Sequence, residues 1–392
     1  MKILMILENS FNPDVRVEKE IRALSAGGHE VTLACSSIES SDQIVDLEYA
    51  KILKKKMPKY IYKLSTVSLL FPFYFNFWRK YLKKIFNDDK FNAIHLHDLP
   101  LSKVAFEYSQ MFKIPLIIDL HENRPEIMKL YQHVRKFPGK LLISIKQWQK
   151  YQQKYIHLAD NIILTTEEAK EYYIQNYSLE VENISVIPNY VELEVIRKLK
   201  IDRNIIKKYE DKFTIVYFGD TGVRRGTSTI IQTANLLRKY EDIHFILIGK
   251  SKDDQLLTKA LSNYKLQNVE LLGWLPIEKA ISYIAAAKTG ICPFLRNIHH
   301  DTTYANKMFQ YMAFGKPVIV SDCIAQKKLV LEQNFGLVFK ANNAKELAKA
   351  VLNLRSGNDY HRLSQNSLKA IETKFNWNAS AQQLNMFYQE LR

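Results

Sequence analysis

The apolar positions of this chain fall in short runs separated by longer amphipathic stretches. Most runs are continuous rather than alternating, which predicts strands buried on both faces, as in parallel sheets covered by helices. Helical patterns between the runs predict right-handed crossovers and doubly wound sheets. The predicted strands are 2–7, 30–35, 93–97, 115–121, 161–166, 184–189, 213–219, 244–249, 269–274, 289–294, 317–322 and 336–339. The predicted helices include Val15–Ala26, Thr166–Gln175, Thr227–Lys239, Ile277–Ala287 and Ala344–Arg355.

The polar stretch Glu192–Lys212 divides these runs into two groups of six and is the predicted linker. A chain of 392 residues suits two domains. Each half therefore reads as a Rossmann-type domain, whose ligands bind at the carboxyl ends of its strands. Two such sheets facing each other would form a cleft with loops converging from both sides.

Composition narrows the class of protein. The three cysteines lie far apart, without the spacing of a disulfide framework or a zinc site. The first apolar run is too short for the core of a signal peptide, and no apolar stretch approaches the roughly 20 residues that span a bilayer. These features predict a cytoplasmic protein. The formal charge of +15 indicates a polyanionic partner, but no nucleic-acid module is recognisable.

The glycine-rich turn after the strand at 213–219 is the first candidate site. It contains Gly222, Arg224, Arg225 and Gly226, and a helix begins near Thr227. Glycines permit a close backbone approach, and a helix N-terminus beside guanidinium groups suits a diphosphate. An ordinary strand-to-helix turn with solvated arginines would show the same spacing.

The second candidate is the segment 299–317, in which a helix is predicted from about Thr303–Ala305 to Gly315. Lys307, Gln310 and Tyr311 fall on one helical face, which could present a cation and an amide to a ligand. Met308, Phe309 and Met312 are predicted to pack inward. A plain amphipathic helix is the alternative interpretation.

Histidines supply the third candidate. His121 follows a buried strand, and strand ends in this fold carry functional groups, although such histidines are often structural. His95 and His97 share one strand face and superficially suggest a metal site. No local Cys, His or carboxylate cluster completes a coordination shell, so we expect no metal.

A basic and aromatic segment at 51–86 accounts for much of the charge. It holds ten lysines and arginines, no acidic residue and ten aromatic residues. Basic residues bind anionic headgroups while aromatic residues enter the interface, so we expect this segment to lie on an anionic membrane surface. One or two core helices with solvated lysines are the alternative.

Together these stretches resemble the family-4 retaining glycosyltransferases of the GT-B fold, and the resemblance covers nearly the whole chain. Seven pieces occur in the family's order: 15–35, 94–101, 159–173, 184–192, 215–226, 268–276 and 306–322. The stretch 375–392 is similar to the family's C-terminal helix, which crosses back to the first domain. The resemblance implies an α/β protein with an acceptor-side Rossmann-like domain at 1–195, a donor domain at 196–374 and that helix.

The resemblance also implies roles for single residues. Arg225 matches the residue that grips the donor diphosphate, and Lys307 lies where the family binds the diphosphate and sugar. His121 matches the histidine that faces the transferred sugar. These three residues are the predicted catalytic set. The predicted donor-binding residues are Gly222, Arg224, Trp274, Leu275, Thr302, Thr303, Tyr304, Asn306 and Gln310.

This sequence departs from the family at three positions. Thr302 stands near the first glutamate of a paired-glutamate motif, and Gln310 replaces the second, although an amide can still bond both ribose hydroxyls. Asp220 stands where many members have arginine, for which the nearby Arg224 could substitute.

The implied function is retaining, metal-independent transfer of a sugar from a UDP- or GDP-sugar, with no cofactor. The expected acceptor is a saccharide or a lipid-linked glycan intermediate of surface polysaccharide or glycoconjugate synthesis, handled on the inner face of the cell membrane. Two alternatives stay open: a non-catalytic glycosyltransferase-like partner subunit, and a nucleotide-sugar epimerase or phosphorylase on the same fold.

Overall fold

All twelve apolar runs predicted as strands form strands, in two separate sheets. A computed structural model describes residues 1–11 and 15–391. It divides into two units: the first comprises Met1–Pro188 and the residues from Ser380 onward, and the second comprises Asn189–Ala379. The predicted linker, just after this division, holds two short helices that belong to the second unit.

The first unit is built on an eight-stranded sheet in the order β3-β4-β2-β1-β5-β6-β7-β8. Every neighbouring pair is parallel except β3 with β4. The strands are β1 Lys2–Leu7, β2 Glu30–Ser37, β3 Gln43–Leu47, β4 Ala50–Lys56, β5 Ala93–His97, β6 Leu116–Leu120, β7 Asn161–Leu164 and β8 Ile184–Val186. The helices are α1 Val15–Ala26, α2 Lys59–Lys63, α3 Phe73–Asp88, α4 Ser102–Phe112, α5 Arg124–Met128, α6 Gln132–Arg135, α7 Gly139–Leu142, α8 Ile145–Leu158 and α9 Glu167–Tyr177.

The second unit is built on a six-stranded parallel sheet in the order β11-β10-β9-β12-β13-β14. Two separate apolar cores lie against this sheet, and its strands are therefore buried on both faces. The strands are β9 Phe213–Phe218, β10 Ile243–Ile248, β11 Val269–Gly273, β12 Thr289–Cys292, β13 Val318–Ser321 and β14 Gly336–Phe339. The helices are α10 Leu193–Lys198, α11 Arg203–Lys208, α12 Thr227–Leu236, α13 Asp254–Tyr264, α14 Ile277–Ala286, α15 Ile298–Asp301, α16 Asn306–Met312, α17 Ile324–Gln333, α18 Ala344–Ser356 and α19 Tyr360–Thr373.

The basic and aromatic segment 51–86 is only partly a surface feature. Its first residues form β4, which the sequence pattern did not predict as a strand. Half of its aromatic residues are buried in the core of the first unit, because they share one face of α3 or pack beside it: Tyr74, Phe75, Trp78, Tyr81 and Phe86. The prediction that this segment lies as a whole on a membrane is therefore wrong for these residues.

The C-terminal helix is α20, Trp377–Glu390, and its residues from Ser380 onward belong to the first unit. The hydroxyl of Tyr388 lies 2.8 Å from Nδ1 of the buried His95. Asn385 donates a hydrogen bond to the carbonyl oxygen of Ala23 at 3.1 Å, and Ser380 donates one to that of Pro188 at 2.7 Å. The first unit is thus completed by residues from the far end of the chain.

Truncation of a buried residue of α20 tests this packing. Leu384 is fully buried, so Leu384→Ala should cost about 2–5 kcal/mol and lower the melting temperature of the first unit by roughly 5–15 °C. Differential scanning calorimetry measures this shift. Met386 is exposed on the same helix, so Met386→Ala should have little effect. Equal melting temperatures for the two variants would contradict the packing.

Candidate active site

The glycine-rich turn of the second unit follows β9 and leads into α12. Val223–Arg225 form a turn of 3₁₀ helix, and α12 begins at Thr227. Gly226 has φ of 81°, and a Cβ added there would lie 1.7 Å from the carbonyl oxygen of Pro293. Only glycine fits this position, which explains how the turn lies against the end of β12.

Arg224 and Asp220 form an ion pair within this turn. Nη2 of Arg224 lies 2.6 Å from Oδ2 of Asp220. The other oxygen of Asp220 accepts a hydrogen bond from the backbone nitrogen of Gly222 at 2.9 Å. The charge of Arg224 is therefore paired with Asp220, which stands where many members of the family have arginine. Asp220 also fixes the backbone of Gly222.

Arg225 and Lys307 are brought together although 82 positions separate them in the numbered sequence. Nζ of Lys307 lies 3.7 Å from the ring centroid of Tyr217 and 5.6 Å from that of Phe294. Cζ of Arg225 lies 5.1 Å from the same Phe294 centroid. A Cβ added to Gly219 would lie 3.0 Å from Nζ of Lys307, so the glycine lets the ammonium group approach the turn.

Lys307 occupies an environment that favours its neutral form. Burial lowers its pKa to about 7, and the nearby positive charge of Arg225 acts in the same direction. A neighbouring anion would reverse both effects by pairing with the ammonium group. The arrangement of two cations around one aromatic ring is therefore suited to a multiply charged anionic ligand.

His300, which is not among the residues predicted from the sequence, also contacts Arg225. Its Nε2 lies 3.3 Å from Nη1 of Arg225, and its Nδ1 lies 2.7 Å from the carbonyl oxygen of Leu295. Burial lowers the pKa of His300 to about 4, so the imidazole is neutral. A neutral ring that donates from Nδ1 to Leu295 accepts from Arg225 at Nε2 and orients the guanidinium group. The pair of histidines at 299–300 was the available signal.

The threonines near the missing glutamate direct their hydroxyl groups into the preceding turn. The hydroxyl of Thr302 donates to the carbonyl oxygen of Ile298 at 2.8 Å, and that of Thr303 donates to that of His299 at 2.8 Å. Tyr304 packs its ring against Phe309, 5.9 Å between centroids. These side chains thus support the loop before α16.

Helix α16 is shorter than predicted, running from Asn306 to Met312. Asn306 is exposed and Gln310 is half-buried, while the three residues predicted to pack inward are buried. Tyr311 does not share the exposed face with Lys307 and Gln310, as the helical spacing predicted. It is fully buried and its hydroxyl accepts a hydrogen bond from the backbone nitrogen of Phe218 at 2.9 Å, which ties the helix to β9.

Trp274 and Leu275 follow β11 in the second unit. The side chain of Trp274 is 69% exposed, whereas Leu275 packs against the apolar core. The ring of Trp274 is consequently available to stack on a planar ligand, whereas the side chain of Leu275 packs into the core and leaves mainly its backbone for ligand contact.

In the first unit, His121 lies beside two carboxylates at the end of β6. Its Nε2 is 3.1 Å from Oδ2 of Asp119, and its Nδ1 is 3.6 Å from Oδ2 of Asp98. Its backbone nitrogen donates to Oδ1 of Asp98 at 3.2 Å. Burial opposes a charged imidazole, but Asp98 and Asp119 outweigh it and raise the pKa of His121 to about 9. His121 is therefore an imidazolium at neutral pH.

His95 and His97 are joined by two carboxylates, contrary to the expectation that no such cluster exists. Ligand atoms of Glu20, His95, His97 and Asp119 all lie within 4.8 Å of one another, and all four residues are buried. The sequence could not show this, because Glu20 comes from α1 and Asp119 from the neighbouring strand β6.

A guanidinium group already neutralises this cluster. Arg16 is 2.9 Å and 3.0 Å from the two carboxylate oxygens of Asp119, and its Nε is 2.8 Å from Oε1 of Glu20. Burial alone would raise the pKa of Asp119, but Arg16 holds it well below its usual range. Burial and then Asp119 raise the pKa of Glu20 to about 8. Arg16 thus supplies the positive charge that a divalent ion would bring, and a buried protonated Glu20 would be a poor metal ligand.

Two sequence-family models match the chain in succession. The model described as Glycosyltransferase Family 4 matches residues 15–195, and that described as Glycosyl transferases group 1 matches residues 212–356. Together they span most of the chain. The chain belongs to the family-4 glycosyltransferases of the GT-B fold.

Similar proteins agree with this assignment. An uncharacterised glycosyltransferase of Methanocaldococcus jannaschii is 22% identical over 236 residues, which cover 59% of this chain and 59% of the relative. The present glycosyltransferase thus spans about three fifths of that curated relative. Sucrose-phosphate synthase from Thermosynechococcus elongatus shares the fold, with a TM-score of 0.78 and 17% identity over 100% of this chain and 99% of that one. Anabaena HepE in complex with UDP-glucose has a TM-score of 0.69 and 14% identity over 100% of both chains.

The charge state of His121 is directly testable by NMR titration of labelled histidines. We expect a pKa near 9 in the wild-type glycosyltransferase, and a value nearer 6.5 in Asp98→Asn because that variant removes a facing carboxylate. Since the folded-state pKa is raised, the stability that His121 contributes is complete below about pH 6.5 and is lost as the pH rises through 9. Asp46→Asn on the exposed edge strand β3 is the control and should leave the titration unchanged. A wild-type pKa near 6.5 would contradict the assigned charge.

Proposed function

We propose that this glycosyltransferase moves a sugar from a UDP- or GDP-sugar to an acceptor with retention of anomeric configuration and without a metal ion. The observation that carries the proposal is the convergence of Arg225 and Lys307 around Phe294, beside a glycine turn that leads into a helix. The complex of the structurally similar HepE with UDP-glucose supports a nucleotide-sugar donor.

The donor diphosphate is the proposed ligand of these two cations. A diphosphate carries charge that a guanidinium group can bind in bidentate fashion and an ammonium group can bind as a point charge. As the bond from the anomeric carbon to phosphate oxygen breaks, negative charge develops on the leaving nucleoside diphosphate. Preorganised cations stabilise that charge most strongly in the transition state, so Arg225 and Lys307 would accelerate the reaction.

The remaining steps are proposed from the same chemistry. The acceptor oxygen forms its bond to the anomeric carbon on the face that the leaving phosphate vacates, and the acceptor's proton passes to the leaving phosphate oxygen. His121 is not the base in this scheme, because a pKa of about 9 leaves it already protonated. Its positive charge also does not favour an oxocarbenium-like sugar, so we assign it a hydrogen bond to a sugar hydroxyl, with Asp98 balancing its charge.

A lipid-linked acceptor at the inner face of the cell membrane is part of the proposal. Exposed aromatic side chains in the first unit support it: Tyr60, Tyr62, Phe71 and Phe73. Within residues 1–11 and 15–391, every helix is too short or too polar to traverse a bilayer. We therefore propose peripheral association during surface polysaccharide or glycoconjugate synthesis.

A non-catalytic partner subunit is the second candidate. It is favoured by Thr302, whose hydroxyl is turned to the carbonyl of Ile298 where the family has a glutamate. Calorimetry with UDP, GDP and ADP and their sugar conjugates separates the two, since a subunit without a donor site would bind none of them. Donor consumption with and without membrane extract further separates transfer from epimerisation.

Removal of either cation should abolish most of the activity. We expect Arg225→Ala and Lys307→Ala each to lower kcat by about 10²–10³-fold, as loss of one preorganised donor does elsewhere. The measurement is release of nucleoside diphosphate from the bound donor in the presence of membrane extract.

The matched control is Arg362→Ala, an exposed arginine of the same unit that pairs only with Asp359 among the described residues. It should retain wild-type turnover, and circular dichroism should show all three variants folded. Wild-type rates for both Arg225→Ala and Lys307→Ala would remove the assigned donor site.

Donor binding should also take up a proton. Free Lys307 loses its proton as the pH rises above about 7, and a bound diphosphate restores it. Calorimetry of UDP binding in buffers of different ionisation enthalpy should therefore show uptake that approaches about one proton above this pH. Lys307→Arg should abolish the uptake because arginine stays charged. The same uptake in Lys307→Arg would place the titrating group elsewhere.

A further inference from the structure

A second acid-free segment of the first unit, separate from 51–86, runs from residue 127 to residue 159. It contains seven lysines and arginines and no aspartate or glutamate. At its centre, Phe137 is 84% exposed and Leu141 is 77% exposed, with Leu142 also exposed. Lys136 and Lys140 flank these side chains. Large apolar side chains this exposed in a soluble domain mark an interaction surface when they lie together.

The structure brings this segment against the first basic segment. A groove of about 450 Å³ is lined on one side by Leu69, Leu70, Phe71, Pro72 and Arg79, and on the other by residues of α8, including Lys150 and Lys154. The exposed turn with Phe137 and Leu141 leads into α8. Residues 147 to 155 and 68 to 79 therefore line one groove of the first unit, and the exposed turn precedes the groove-lining helix in the chain.

The charge of the groove distinguishes it from the other basic surface of this unit. Its cations are Arg79, Lys103, Lys150 and Lys154, and no carboxylate is among its lining residues. Arg79 is paired with Glu107 at 2.6 Å, whereas the three lysines form no ion pair within residues 1–11 and 15–391. By contrast, a larger groove between β4 and α3 is lined by five lysines and also by Asp42, Asp88 and Asp89. Three of the five positive charges of this larger groove are therefore offset by carboxylates, although its basic segment is acid-free in sequence.

We propose that the face formed by this acid-free groove and the exposed turn at 137–142 docks on an anionic phospholipid bilayer. The lysines would lie at the level of the headgroups, and Phe137, Leu141, Leu70 and Phe71 would enter the interface. This inference deepens the proposed membrane association and rests on it, but it moves the contact from the segment 51–86 to a face built from two segments. A bilayer is a better partner than a soluble anion, because an anion would contact only the lysines and leave the apolar side chains exposed to water.

Flotation of the full chain with lipid vesicles tests this proposal. The vesicles are phosphatidylcholine alone, and phosphatidylcholine mixed with phosphatidylglycerol. We expect flotation only with the anionic vesicles. The double variant Lys150→Ala/Lys154→Ala should bind them about 25-fold more weakly, since each lysine near such a surface contributes about fivefold. Phe137→Ser/Leu141→Ser should weaken binding at least about tenfold.

Matched controls come from the same unit. Lys90→Ala removes an exposed lysine outside the groove, and Met111→Ser removes an exposed apolar side chain of α4; both should float like the wild type. Wild-type flotation of both double variants would overturn the proposal, as would failure of the wild type to bind anionic vesicles. Binding to polyglutamate but not to vesicles would overturn it in favour of an acidic protein partner.

A parallel measurement keeps this outcome separate from the donor site. Lys150→Ala/Lys154→Ala should retain the wild-type thermal shift with UDP, because Arg225 and Lys307 are untouched. Flotation without any nucleotide binding would support the docking face and contradict the proposed transfer reaction. Nucleotide binding without flotation would do the reverse.

Discussion

The approach of Lys307 to the glycine turn after β9 is the interaction on which the donor site depends. The ammonium group lies over the ring of Tyr217, a Cβ at position 219 would lie 3.0 Å from it, and the φ of 122° at that position also favours glycine. Helix α16, which carries Lys307, is also tied to β9 because the hydroxyl of Tyr311 accepts a hydrogen bond from the backbone nitrogen of Phe218. The site is therefore fixed by contacts between one strand end and one helix, and Arg225 completes it from the turn between them.

Bringing two cations together and burying one of them is unfavourable, and the groups around Lys307 and Arg225 reflect this. Burial lowers the pKa of Lys307, and Arg225 lies 3.3 Å from the neutral His300 and 3.8 Å from the carboxylate of Asp220. Asp220 lies nearer to Arg224, at 2.6 Å, than to Arg225, at 3.8 Å, so Arg224 forms the tighter ion pair and Arg225 packs against Phe294 beside Lys307.

The first unit has the opposite excess of charge, since it buries more acidic than basic side chains around His121. Arg16 neutralises Asp119, and Glu20 has a raised pKa. Asp119 also contacts His121, which follows β6. Arg16 of α1 therefore affects the charge around His121 through Asp119. Because buried ion pairs become costly when one partner is removed, this network holds the histidine in one charge state. The C-terminal helix closes it through Tyr388 and His95.

The sequence alone predicted twelve of the fourteen strands in the described residues, the order of the two units and the family, because continuous apolar runs and short motifs are local properties. It also placed Arg225 in a candidate turn and Lys307 in a candidate helix. It missed β3, which is short and largely exposed, and β4, whose lysine-rich pattern does not resemble a buried strand. It also counted Tyr74 and Trp78 as surface residues although they pack in the core. The carboxylates around His95, the contact of His300 with Arg225, and the face shared by residues 68–79 and α8 required the tertiary structure. Each joins residues from separate elements, and no local pattern encodes which side chains of different elements meet.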